Sequence, residues 1–93
     1  MHGGLSPSIE KLDQIRKFER SQEIPQDGAL SDLLWSDPDE KEGYNISNRG
    51  AGFLWGPDVT KKFNYENGLN AVIRAHQLVN EVIKRKSGIC AHT

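Results

Sequence analysis

One cysteine, Cys90, in 93 residues leaves nothing for an intramolecular disulfide to join and fits a reducing compartment. No apolar run approaches the roughly 20 residues that a membrane-spanning helix needs. The mean hydropathy of −0.65 points the same way, to a soluble chain on the polar side. Neither sign of charge dominates: 12 basic and 13 acidic residues give a net charge of −1. An electrostatic case for nucleic acid or anionic lipid is therefore absent. Met1-His2-Gly3-Gly4-Leu5-Ser6-Pro7 has neither the basic start nor the apolar stretch of a secretory signal. Internal repeats, low-complexity tracts, Ser/His/Asp or Cys/His arrangements and nucleotide-type phosphate loops are all missing. Asn45-Ile46-Ser47 matches a glycosylation sequon, which carries little weight without any sign of secretion. What remains is one small domain with a modest core.

The hydrophobic pattern predicts helix first. Ile9, Leu12, Ile15 and Phe18 recur at near-helical spacing between Ser8 and Arg20, with Ser6-Pro7 as a helix start and Pro25 and Gly28 closing the region. Asp32-Leu33-Leu34-Trp35 reads as a short buried turn. Ser36 to Gly56 reads as a long loop, and loops of that length are often functional. Gly56-Pro57-Asp58 opens another helix and Asn67-Gly68 ends it. The last part supports two readings. Leu69, Val72, Ile73, His76, Val79 and Ile83 share one face of a helix running to about Lys86, while Ala71-Val72-Ile73 equally suits a buried strand. Periodicity alone favours the helix.

Three places carry residues suited to chemistry. His2 precedes two glycines, and a neutral imidazole beside a backbone that can crowd an ion suits a transition metal. His76 is a satisfied core histidine on the helical reading and a site residue on the strand reading. Arg49, in Asn48-Arg49-Gly50-Ala51-Gly52, offers a planar fork matching two phosphate oxygens, although a solvated loop arginine is the commoner case. Asp37-Pro38-Asp39-Glu40 lacks a calcium-loop pattern and reads as a solvated acidic turn. Trp35, Tyr44, Phe53 and Trp55 bracket the long loop and read mainly as packing.

Six strings in order carry a resemblance: His2-Gly3-Gly4-Leu5-Ser6-Pro7, Leu12-Asp13-Gln14-Ile15-Arg16, Gln22-Glu23-Ile24-Pro25, Asp32-Leu33-Leu34-Trp35-Ser36-Asp37-Pro38-Asp39, Arg49-Gly50-Ala51-Gly52 and Arg74-Ala75-His76-Gln77-Leu78-Val79. From residue 2 to about 81 the chain resembles the catalytic subunits of serine/threonine protein phosphatases. Gln22 to Pro25 and the Arg-Gly-Ala-Gly run point to the type 2A, 4 and 6 branch rather than type 1. The resemblance implies an α/β class: part of the calcineurin-like metallophosphoesterase fold, a central β-sandwich flanked by helices, here mostly helices and loops with one or two core strands. It implies hydrolysis of phosphoserine and phosphothreonine esters in proteins by a centre of two divalent metal ions of the manganese, iron or zinc type. His2 and His76 match ligands of one of those metals, Arg49 matches the residue that holds the phosphate, and Tyr44 falls where an aromatic lines the substrate groove. It also turns Leu69 to Arg74 into a core strand with His76 in the loop behind it.

The departures from the family matter as much. The Asp-x-His, Asp-Arg-Gly and Asn-His-Glu motifs that supply the remaining ligands and the general acid are absent, and two histidines cannot hold two divalent ions. Asn48 replaces a common proline and Ser31 a common cysteine. After Glu81 the family pattern stops, giving residues 1–81 as a partial catalytic domain and 82–93 as a divergent tail, helical by its own period and without the family's closing strands. A truncated product or mispredicted gene is the expectation, cytoplasmic and also nuclear. The alternatives are a non-catalytic segment that binds phosphatase scaffold or regulatory subunits, and a small helical protein of another class. Assayed alone with manganese and a phosphoserine peptide, the 93-residue chain is expected to turn over no faster than its His76→Ala variant. Release of phosphate well above that control would refute the expectation.

Overall fold

The computed structural model describes residues 1–78, 83–86 and 89–92. In chain order the elements are α1 (Leu12–Arg16), α2 (Ala29–Trp35), β1 (Asp37–Pro38), β2 (Tyr44–Ile46), β3 (Phe53–Trp55), α3 (Pro57–Asn67), β4 (Val72–Arg74), β5 (Ile83–Lys86) and β6 (Ile89–His92). Among the described residues the strands form two three-stranded sheets, ordered β1-β3-β2 and β4-β6-β5. In the first, β3 runs parallel to β1 and antiparallel to β2; in the second, β6 runs parallel to β4 and antiparallel to β5. The class is the mixed α/β one that the resemblance implies, with more strand than its one or two core strands.

The long helix expected from Ser8 to Arg20 shrinks to the five residues of α1. Ser6, the expected cap, is engaged elsewhere. Its hydroxyl donates to Asp32 Oδ2 at 2.6 Å and accepts from the Ser8 amide at 3.1 Å, which holds a turn rather than a helix start. The side chain of Gln14 accepts from the Glu10 and Lys11 amides, both at 2.8 Å, and Asn67 Oδ1 accepts from the Leu12 amide at 3.0 Å. Helix α1 is thus tied down where α3 ends. The expected turn at Asp32 to Trp35 is the second half of α2, and Trp35 is partly exposed rather than buried.

The stretch read as loop contains the first sheet. Its strands have two or three residues each, too few for an alternating pattern to register. The Asp58 carboxylate accepts from the Gly43 amide at 3.0 and 3.1 Å and so fastens the β1–β2 connection to the first turn of α3. Helix α3 keeps the predicted bounds, with Pro57 at its start and Gly68 beyond its end.

The helical reading of Leu69 to Lys86 is overturned. Val72 and Arg74 point inward and Ile73 outward, the alternation of a strand. Neighbours on both sides hold β4 extended. Val72, Ile73 and Arg74 align with Ile89, Cys90 and Ala91 of β6. On the other edge the Met1 amine donates to the Ile73 carbonyl at 2.8 Å, and the Ala75 amide donates to the His2 carbonyl at 3.3 Å. Strands β5 and β6 likewise replace the helix expected in the tail and supply closing strands that its sequence does not announce. Val79 and the boundary expected at residue 81 lie outside the described residues.

Leu5, Ile9, Trp55, Phe63 and Val72 form the core, with Leu12, Ile15, Phe18, Ala29, Tyr44, Val59 and Leu69 packed around it. Trp55 is its largest member, and its indole N–H donates to the Thr60 hydroxyl at 2.9 Å, so the ring is buried without an unpaired donor. Gly4 lies flat against that ring, where a Cβ would collide with it.

Gly4→Ala is therefore expected to cost about 1–3 kcal/mol by overpacking, read as a lower urea midpoint; an unchanged midpoint would show that the ring has room to move. A second expectation concerns Asp32. Burial pushes its carboxyl above the ordinary value, the Ser6 hydroxyl holds it back, and Asp27 adds to the rise. The folded chain then binds this proton more tightly than the unfolded one. The stability Asp32 contributes is full below its ordinary value of 3.8 and is lost as pH rises through the raised one. Asp32→Asn should remove that slope while keeping an acceptor for Ser6. Urea unfolding over a pH series checks this, and identical slopes for the two proteins would count against it.

Candidate functional site

The two histidines, 74 positions apart in sequence, meet in space. His2 lies in the segment that runs beside β4, and His76 follows β4, so the pairing of Ala75 with His2 brings their rings together. The ring centroids are 4.6 Å apart at 63°. The edge of Trp35 closes the third side, 5.8 Å from His76. With Ile24 and Leu34 these side chains line a cavity of about 270 Å³.

His76 is held in an unusual conformation. Its φ of 71° is left-handed, rare for a residue with a Cβ, and such strain gathers at sites where the surroundings over-determine the backbone. Its Nε2 lies 3.2 Å from the Trp35 carbonyl. A carbonyl only accepts, so Nε2 carries the hydrogen and donates, which leaves the Nδ1 lone pair of the neutral ring free. Burial pushes the imidazole below its ordinary value and the Arg49 guanidinium adds to that, while Asp37 and the Trp35 carbonyl oppose it and His2 reinforces it. The net direction is downward, which favours a neutral ring able to donate an electron pair.

Arg49 reaches the same place from the loop between β2 and β3. A turn holds its backbone: the Arg49 amide donates to the Ser47 hydroxyl at 3.2 Å and the Gly50 amide to the Ser47 carbonyl at 3.5 Å. Gly52, at φ 69°, brings the loop against the Ser36 backbone, where a Cβ would not fit. The guanidinium donates from Nε to Asp37 Oδ2 at 2.5 Å and from one terminal nitrogen to the His76 carbonyl at 3.5 Å. Tyr44 is not brought to this cluster. Its ring stacks edge-on with Phe53 at 6.1 Å and faces a separate cleft with Ser6, Asp58, Lys62 and Phe63. It points there because β2 and β3 pair with Tyr44 opposite Trp55, on the core side.

Two organising residues escaped sequence reading. Asp37, taken there for part of a solvated acidic turn, is 4% exposed and paired with two arginines. Arg74 is 1% exposed and is the more surprising of the two. Its guanidinium donates to the Gly3 carbonyl at 2.9 Å, the Ser36 carbonyl at 3.2 Å, Gln77 Oε1 at 2.6 Å and Asp37 Oδ1 at 2.7 Å. Its Cζ lies 5.7 Å from the centre of the Trp55 ring. Three of those four partners adjoin a residue of the cluster: Gly3 follows His2, Ser36 follows Trp35, and Gln77 follows His76; the fourth, Asp37, binds Arg49 directly. The only hint in sequence was an arginine closing an apolar run, Ala71-Val72-Ile73-Arg74.

Residues 1–80 match the profile of the calcineurin-like phosphoesterases. The chain belongs to that family. It is 58% identical over 84 residues to serine/threonine-protein phosphatase PP1-1 of Saccharomyces cerevisiae (strain ATCC 204508 / S288c), a match covering 90% of this chain and 27% of that protein. It superposes on a solved structure of a protein serine/threonine phosphatase from Saccharomyces cerevisiae, described as similar to human phosphatase PP5, with a TM-score of 0.89 at 34% identity. That superposition covers 99% of this chain and 30% of the other. The chain thus spans between a quarter and a third of the length of these relatives. The expected type 2A-like branch finds no support in them, since the curated relative bears a PP1 name; two short motifs weigh little against 84 aligned residues.

The donor set fits a metal only in part. The rings of His2 and His76 lie together and could supply two ligands, with the tautomer of His76 set by the Trp35 carbonyl. Among the described residues no group of three or more His, Cys, Asp or Glu side chains could hold an ion. The remaining ligands of a metal would have to come from outside them.

Replacing Arg74 with Met would strip the buried Asp37 of one cation and leave the Gly3 and Ser36 carbonyls without their donor. Breaking a buried pair this way is expected to cost about 3–5 kcal/mol in urea unfolding. Arg74→Lys should recover only part of that loss, because an ammonium cannot reproduce the planar fork; full recovery by Lys would reduce the network to simple charge balance.

Proposed function

We propose that this chain is part of the catalytic domain of a protein serine/threonine phosphatase, in which His2 and His76 bind one ion of a divalent-metal centre and Arg49 holds the substrate phosphate. The single observation that carries this reading is the identity of 58% over 84 residues to PP1-1, a stretch long enough in a chain of 93 residues to include both Arg49 and His76. The geometry supports it. Two imidazoles adjoin a guanidinium whose terminal donors face the same region, and these are groups suited to a cation and to the anion bound beside it. Substrates on this reading are phosphoserine and phosphothreonine proteins, and water is the nucleophile. The metals are of the manganese, iron or zinc type. Among the described residues no helix is long and apolar enough to cross a membrane, and a cytoplasmic or nuclear location accords with the proposal. Scaffold or regulatory subunits of phosphatases are the expected partners. Tyr44 has a weaker claim as a groove residue, because its cleft is separate from the histidines. A tail of distinct character after residue 81 remains part of the proposal.

The test replaces the matching segment of yeast PP1-1 with this chain. The chimera is expected to hydrolyse a phosphoserine peptide. Arg49→Ala should lower kcat/KM about 10²–10³-fold, the scale seen when one donor to developing charge is removed. His76→Ala should abolish activity and reduce bound metal. A folded chimera with no turnover, or one indifferent to Arg49→Ala, would sink the assignment.

A further inference from the structure

Arg49 sits on a glycine-bounded loop, and its turn bonds fix the backbone but not the long side chain. What aims that side chain is Asp37. We infer that Asp37 is a positioning residue: by binding the Nε–H of Arg49 it turns the terminal fork of that guanidinium toward the phosphate position. This rests on the reading of Arg49 as the phosphate-holding residue.

Three observations carry it. The Nε to Oδ2 distance of 2.5 Å is a short charge-assisted hydrogen bond, whereas the bond from the terminal nitrogen to His76 is 3.5 Å and weak. Asp37 therefore holds the near end of the guanidinium while the far end stays exchangeable. Secondly, Asp37 itself is anchored. It is 4% exposed, starts β1 beside Leu54 of β3, and its second oxygen receives the fully buried side chain of Arg74. Thirdly, the donors divide. A carboxylate on Nε leaves the end-on pair of nitrogens as the edge that can meet two oxygens of one phosphate. One carboxylate between two guanidinium groups also leaves a surplus positive charge, which a bound anion offsets and a second carboxylate would cancel. Asp37 thus orients Arg49 without neutralising the pair.

The experiment uses the 93-residue chain with inorganic phosphate as the probe, followed through the side-chain resonances of Arg49 in ¹H–¹⁵N spectra. In the wild-type protein phosphate is expected to shift the terminal nitrogens and leave the Nε–H resonance in place, still protected from exchange. A shift of Nε–H as large as that of the terminal nitrogens would mean that phosphate displaces Asp37, which overturns the inference without any variant having to fold. Asp37→Asn should then weaken phosphate binding about tenfold, but less than about twofold when Arg49 is already Lys, because residues that act through one another do not add. A merely structural Asp37, serving Arg74 alone, would weaken binding equally in both backgrounds and so overturn the assignment. No phosphate-dependent change at Arg49 in the wild type would overturn the inference as well, because a fork already turned toward the phosphate position should meet the anion; the phosphatase reading itself stands or falls with the chimera. Binding through Arg49 that Asp37→Asn leaves unchanged would remove the positioning role alone.

Discussion

One buried guanidinium holds this structure together around its site. Arg74 emerges from β4 into the interior, and burial alone would make it costly there by depriving a permanent charge of water. It survives because four acceptors, contributed by segments at positions 3, 36, 37 and 77, surround it, and because the Trp55 ring lies beside it. Burial still lowers its proton affinity, and the Asp37 carboxylate works against that. The balance is local, so the four segments cannot drift apart without stranding a charge.

From that constraint the candidate site follows. The segment carrying His2 is fixed through Gly3, the end of α2 through Ser36, the start of β1 through Asp37, and the His76 turn through Gln77. Trp35 can then offer its carbonyl to His76, and Asp37 can offer its second oxygen to Arg49. The candidate side chains are exposed or half-buried, while Ser36, Asp37 and Arg74, which help to place them, are buried. Such a division leaves the reactive groups accessible and their geometry rigid.

Legibility in the sequence followed the range of the interactions. Helix α3 was readable because its signals, Pro57 and Gly68, lie within its own length. The strands were not. Those of the first sheet are two or three residues long, and Leu69, Val72, Ile73 and His76 satisfy a helical period as well as a short strand. What decides between them is the pairing of β4 with residues 1–3 and with β6, partners distant in sequence. For the site, composition and spacing left His2, His76 and Arg49 as ordinary residues, and only the ordered match to a family raised them. Arg74 was invisible for a physical reason. Charged residues are assigned to the surface by default, and nothing near it in sequence reveals four acceptors waiting in the interior.

The left-handed backbone at His76 has a consequence for how such a chain tolerates change. A side chain in that region costs of order 1–3 kcal/mol relative to an unstrained alternative, and glycine would avoid nearly all of it. Selection for thermal robustness alone therefore pushes this position toward glycine, and with it toward loss of the imidazole. Histidine and fold stability pull in opposite directions at one residue, so a stabilised variant found by blind screening would tend to lack the imidazole on which the proposed metal site depends.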